Sequence, residues 1–72
     1  MKTWVLSHKF PSGKILYFMP FQGSFAFCQF LTNALKFDTK PEAEHFLEKV
    51  KSRNKNTVAL HQLSVTEITD MN

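Results

Sequence analysis

The segment Thr39-Lys40-Pro41-Glu42, with the apolar positions behind it, leaves one local structure open to the middle of this chain. Threonine followed three residues later by glutamate is a capping box. The Thr39 hydroxyl can accept from the Glu42 amide, and the Glu42 side chain can reach back to the Thr39 amide. Pro41 falls in the first turn, where its missing N–H costs nothing. Ala43, Phe46, Leu47 and Val50 then recur at helical spacing as one stripe. Glu42, Glu44 and Glu48 lie early, and Lys49, Lys51 and Arg53 late, which complements the helix macrodipole. Asn54 and Asn56 suit the exit. The pattern predicts an amphipathic helix from about Thr39 to Arg53.

Period-two alternation predicts the rest. Thr3 to Phe10 puts Trp4, Leu6, His8 and Phe10 on one face of a strand. Pro11-Ser12-Gly13-Lys14 is a turn, since proline presets φ and glycine is free to take a positive one. Ile15 to Met19 follows, apolar on both faces, so the pair reads as a β-hairpin. Pro20 to Gly23 reads as a second turn and Ser24 to Leu31 as a third strand. Its parity places Phe25 and Phe27 on one face, with Ala26, Cys28 and Phe30 on the other. Thr57 to Thr69 reads as a strand whose parity slips: Val58 and Leu60 share a face, Leu63 and Val65 take the other, and Ile68 switches back. A bulge near His61-Gln62, or two short strands, would account for the slip. The expected fold is α+β, a mainly antiparallel sheet of about four strands in the order β-β-β-α-β. One amphipathic helix packs on one face, and residues 1–72 form a single domain.

Seventy-two residues are near the lower limit for a chain that stabilises itself without staples. Cys28 is the only cysteine, which excludes a disulfide within the chain. His8, His45 and His61 show no ligand-like spacing with Cys28 or with each other, so no metal is expected. Eight phenylalanines, one tryptophan and one tyrosine must then supply a dense core or an interface. No apolar run approaches membrane-spanning length, and Trp4-Val5-Leu6 is too short for a signal peptide. A cytoplasmic protein is expected, and the lone thiol suits a reducing compartment. No catalytic set emerges: Cys28 lacks a base, and Glu44, His45 and Glu48 belong to the charged flank of the helix. Gly13 and Gly23 are the only glycines, so no phosphate-cradling loop exists. The expectation is a chain that is not an enzyme and takes no cofactor.

The second and third strands carry large apolar groups on both faces, yet one helix covers one face. An uncovered apolar face usually marks an interaction surface. Tyr17, Phe25 and Phe27 are the residues expected to form it, for a protein partner or for a second copy of the chain in a homodimer. The alternative is that the Phe37 loop or the C-terminal tail covers the face.

Two resemblances bear on the partner. In Gly23-Ser24-Phe25-Ala26-Phe27-Cys28-Gln29-Phe30 the last six residues resemble the RNP1 strand of RNA-recognition-motif domains. That likeness implies Phe25 and Phe27 stacking on bases while Cys28 and Phe30 point into the core. Gly23 and Ser24 stand where that family has a basic residue and a glycine, and the turn at Pro11 to Lys14 leaves no room for its first helix. A single-stranded nucleic-acid binder would add phosphate contacts from Lys9, Lys14, Lys49, Arg53 and Lys55, within a net charge of +3. The second resemblance covers Ala34 to Val50. Its heart, Ala34-Leu35-Lys36-Phe37-Asp38-Thr39-Lys40-Pro41-Glu42-Ala43, is similar to the A-x-x-F-D-T-x-x-E-A segment of short proteins encoded by phages and prophages. It implies an accessory protein, in the cytoplasm of a host cell, that binds and modulates a host macromolecule such as a defence complex or the transcription machinery.

Overall fold

The computed structural model describes residues 2–69. Four antiparallel strands, β1 (Lys2–Lys9), β2 (Ile15–Phe21), β3 (Ser24–Cys28) and β4 (Ser64–Thr69), form one sheet in the order β3-β2-β1-β4. The main helix α1 (Lys40–Arg53) packs over β1 and β4, and a short helix α2 (Val58–His61) follows it. The expected α+β architecture and its β-β-β-α-β order hold.

The helix begins as its sequence dictates. Thr39 is the N-cap, and its Oγ1 accepts from the Glu42 amide at 3.4 Å. The return arm of the box differs from expectation: the Thr39 hydroxyl donates to the Glu42 carboxylate at 3.0 Å, so the two side chains bond each other. Ala43 and Leu47 are buried, and Phe46 and Val50 pack against the core from the stripe's edge. Asn54 closes the helix, donating from Nδ2 to the Val50 carbonyl at 2.9 Å. Thr39→Ala removes the cap and should cost about 0.5–2 kcal/mol, read as a lower urea midpoint with an unchanged slope.

Both hairpin turns use positive φ. In the first, the Gly13 amide donates to Phe10 and the Phe10 amide to Lys14, with Gly13 at φ +95°. The second is tighter than its sequence suggested. Strand β2 runs on through Pro20 and Phe21, and only Gln22 (φ +47°) and Gly23 (φ +77°) turn the chain. Positive φ at both central residues is the type I′ condition, which matches the twist of the flanking strands. It pairs Phe21 with Ser24, Pro20 with Phe25 and Phe18 with Phe27.

That register reverses the expected facing of β3. Residues paired across a sheet share a face, so Phe25 and Phe27 lie on the side of Phe18, which is the helix side. Phe25 stacks on Phe18 at 5.7 Å between ring centroids, and Phe27 meets Phe25 edge-on at 5.8 Å. Phe18 in turn meets Phe46 of α1 at 5.6 Å, and Phe46 meets Phe37 at 5.3 Å. Five phenylalanines thus form one aromatic chain beside the buried cluster of Leu6, Phe18, Ala43, Leu47, Leu60 and Leu63. Phe30 does not reach the core; β3 ends at Cys28, and Phe30 is 66% exposed.

Between the third strand and α1 the chain fills a gap in the sheet. Strands β1 and β2 pair only over Ser7–Lys9. Beyond that point they splay, and residues 35–37 sit between them. Trp4 and Phe37 exchange both backbone hydrogen bonds, at 2.9 and 2.8 Å, and the Leu35 amide donates to the Phe18 carbonyl at 3.0 Å. The wedge satisfies backbone groups that the splay would orphan, and it delivers Leu35 and Phe37 to the core side. To reach this gap from β3 the chain must cross β2. On the helix side at that level, Ala59 and Gln62 line a small pocket with His8, Leu16 and Phe27. The crossover, with its 3₁₀ turn at Leu31–Asn33, takes the opposite face, as burial there requires. Val5, Ser7 and Ala34 are buried on that side, outside the helix-side cluster. Ser7 and Thr66 bond each other there at 2.8 Å between their hydroxyls. Cover from the C-terminal tail would fall on positions 70–72, which lie outside the described residues.

Candidate interaction surface

What the crossover leaves uncovered is the outer face of the β2–β3 hairpin. Alternation from the Phe21–Ser24 pair places Tyr17, Met19 and Phe21 of β2 beside Ala26 and Cys28 of β3, all facing away from α1. Phe21 is 51% exposed at the hairpin tip, and Phe30 marks the start of the crossover at the other end. Tyr17, Met19, Ala26 and Cys28 are half-buried between them. Two hydrogen-bond sets hold the crossover in place. The Cys28 thiol donates to the Phe30 carbonyl at 3.4 Å, and the Lys36 ammonium donates to the carbonyls of Thr32 and Ala34 at 3.3 and 3.2 Å. The hairpin face is thus apolar from Tyr17 to Phe21 and uncharged across both strands.

Of the residues expected at the interaction surface, only Tyr17 is on this face. Phe25 and Phe27 are on the other, their rings engaged with Phe18 and with each other. Met19, Phe21 and Phe30 take their place, and the parity error hid them. The turn carried the missing signal: reading Gln22-Gly23 as a two-residue loop pairs Phe21 with Ser24 and reverses β3.

The five basic residues do not share one surface. Lys9 and Lys14 flank the β1–β2 turn and are exposed there. Lys49 and Arg53 line a groove with Gly23 and Ser24, at the opposite end of β2 and on the helix side. Seven residues of extended chain put these ends about 20 Å apart. Lys55 stands beyond α1, beside His61. His61 itself meets the Asn54 carbonyl through Nε2 at 3.2 Å, His45 is exposed on α1, and His8 meets Phe10 edge-on. Among the described residues no three His, Cys, Asp or Glu side chains are grouped to hold a metal ion, and no helix is long and apolar enough to cross a membrane. Comparison with protein-family models, with curated proteins and with solved structures gave no match.

Proposed function

We propose that this chain is a non-enzymatic binding protein that docks on another protein through the outer face of its β2–β3 hairpin. The observation that carries the reading is the uncharged face from Tyr17 to Phe21, with Phe21 and Phe30 half or more exposed at its ends. A chain that spends five of its eight phenylalanines on its own core gains no stability from leaving two others in water. The similarity of Ala34 to Val50 to phage-encoded accessory proteins extends the reading to a host macromolecule as target, with a second copy of the chain as the homodimeric case. The nucleic-acid reading has weaker support, because Phe25 and Phe27 are engaged in the core and the basic residues are split between two ends and two sides.

The test pairs mass with stability. Phe21→Asp and Phe30→Asp together should change stability by less than about 1 kcal/mol, as expected of two surface positions. They should also abolish association, read as dimer mass by light scattering or as retention of a host protein that the wild-type chain retains. A double variant that still associates, or one that unfolds, would overturn the assignment of this face.

A further inference from the structure

We propose that the free edge of β3, with the groove beside it, accepts an extended acidic peptide segment as an added strand. The proposal rests on reading the chain as a protein-binding module, but it uses a different surface, so the two can fail separately.

The argument begins with the hairpin register. In a two-residue loop the flanking pair, Phe21 and Ser24, is hydrogen-bonded, and pairs then alternate along the ladder. Phe25 and Phe27 therefore occupy non-hydrogen-bonded positions against Pro20 and Phe18. Pro20 has no N–H to give, which fits its position. The Phe18 carbonyl points away from β3 and accepts from Leu35, as this register requires. The N–H and C=O groups of both Phe25 and Phe27 consequently point outward from the sheet. Strand β3 is the last in the sheet, and among the described residues no loop or side-chain group takes up these four groups. Unpaired edges of this kind are templates for another strand.

The surface beside the edge supplies selectivity. Because α1 lies over β1 and β4, it leaves a groove of about 340 Å³ along its flank toward β3. Phe18, Phe25, Phe46 and Val50 form its apolar floor, and Lys49 and Arg53 its rim. Among the described residues no carboxylate lines it; Lys49 and Arg53 also border the neighbouring depression with His45 and Glu48, but neither forms an ion pair there. Alternation in an added strand sends every second side chain to this side. An apolar side chain would settle against Phe25, and a carboxylate two residues away would meet Lys49 and Arg53. Outward backbone groups recognise a peptide backbone, and two cations held in no ion pair select an acidic one.

The probe is an end-blocked six-residue peptide alternating threonine with valine or glutamate, with lysine replacing glutamate in its control. Amide exchange of the full chain is followed residue by residue. The acidic peptide should slow exchange at Phe25 and Phe27, and the lysine peptide should not. Lys49→Glu with Arg53→Glu should weaken binding about tenfold or more, since both charge-assisted contacts are lost. Both positions are exposed, so the variant should stay folded, its melting temperature lowered by several degrees as two favourable charges at the helix end are reversed. The Phe21→Asp, Phe30→Asp variant should bind the peptide normally, which separates this proposal from the hairpin-face reading. The proposal fails if neither amide is protected, if the lysine peptide binds as well, or if a single-stranded oligonucleotide occupies Lys49 and Arg53 while the acidic peptide does not.

Discussion

Phe18→Ala is expected to leave much of the population unfolded at 25 °C. Truncating a buried phenylalanine costs about 3–5 kcal/mol, through lost transfer energy and the cavity left behind. Small domains have only about 5–15 kcal/mol in total, and a 72-residue chain without disulfides belongs at the low end. The site should be at the costly end too. Phe18 is 4% exposed and lies between Phe25 of β3 and Phe46 of α1, so its loss separates sheet from helix as well as opening a void. Its carbonyl also receives the Leu35 amide, which ties the same residue to the wedge. Urea denaturation followed by circular dichroism gives the measurement, with Phe21→Ala as the control expected to shift stability by less than about 0.5 kcal/mol. A loss below about 1.5 kcal/mol at Phe18 would mean that the aromatic chain is not the centre of this core.

The same contrast shows how much of the fold and site could be read from sequence. Helix α1 was legible from cap to exit because everything that specifies it lies within fifteen or so neighbouring residues and rests on local hydrogen bonds and period. The first hairpin was legible for the same reason. Facing was different. Alternation reveals that Phe25 and Phe27 share a side, but only the pairing partner says which side, and pairing is set by the turn. Gln22 obscured that turn, because a residue with a Cβ seldom takes positive φ. The wedge at residues 35–37 was illegible on principle. It exists because β1 and β2 splay, a tertiary event, and nothing near Leu35 or Phe37 encodes the Phe18 carbonyl or Trp4 as partner. The candidate site inherited both failures. Tyr17 was placed on the open face, whereas Phe21 was assigned to a loop and Phe30 to the core.

Leu60→Ala and Val58→Ser should separate by about 1.5 kcal/mol or more, although a strand through Thr57 to Thr69 would have treated them alike. In an extended chain, residues two apart share a face, so both side chains would be buried or both exposed. The chain instead makes one helical turn at Val58–His61, entered from Thr57, whose carbonyl accepts from the Leu60 amide at 3.1 Å. The turn rotates Leu60 inward to 0% exposure and leaves Val58 69% exposed. It also explains the parity slip: Leu63 follows Leu60 at helical spacing, and alternation restarts at Ser64 with Val65 paired to Leu6. Leu60→Ala should therefore cost about 2–5 kcal/mol and Val58→Ser within about 0.5 kcal/mol. The loss at Leu60 has a second consequence. Leu60 belongs to the cluster with Leu6 and Leu47, so loosening α2 widens the small pocket that Ala59 and Gln62 line with His8, Leu16 and Phe27. Amide exchange in β1 near His8 should accelerate in Leu60→Ala under conditions where the rest of the sheet remains protected. Equal losses at the two positions would restore the extended reading of this segment.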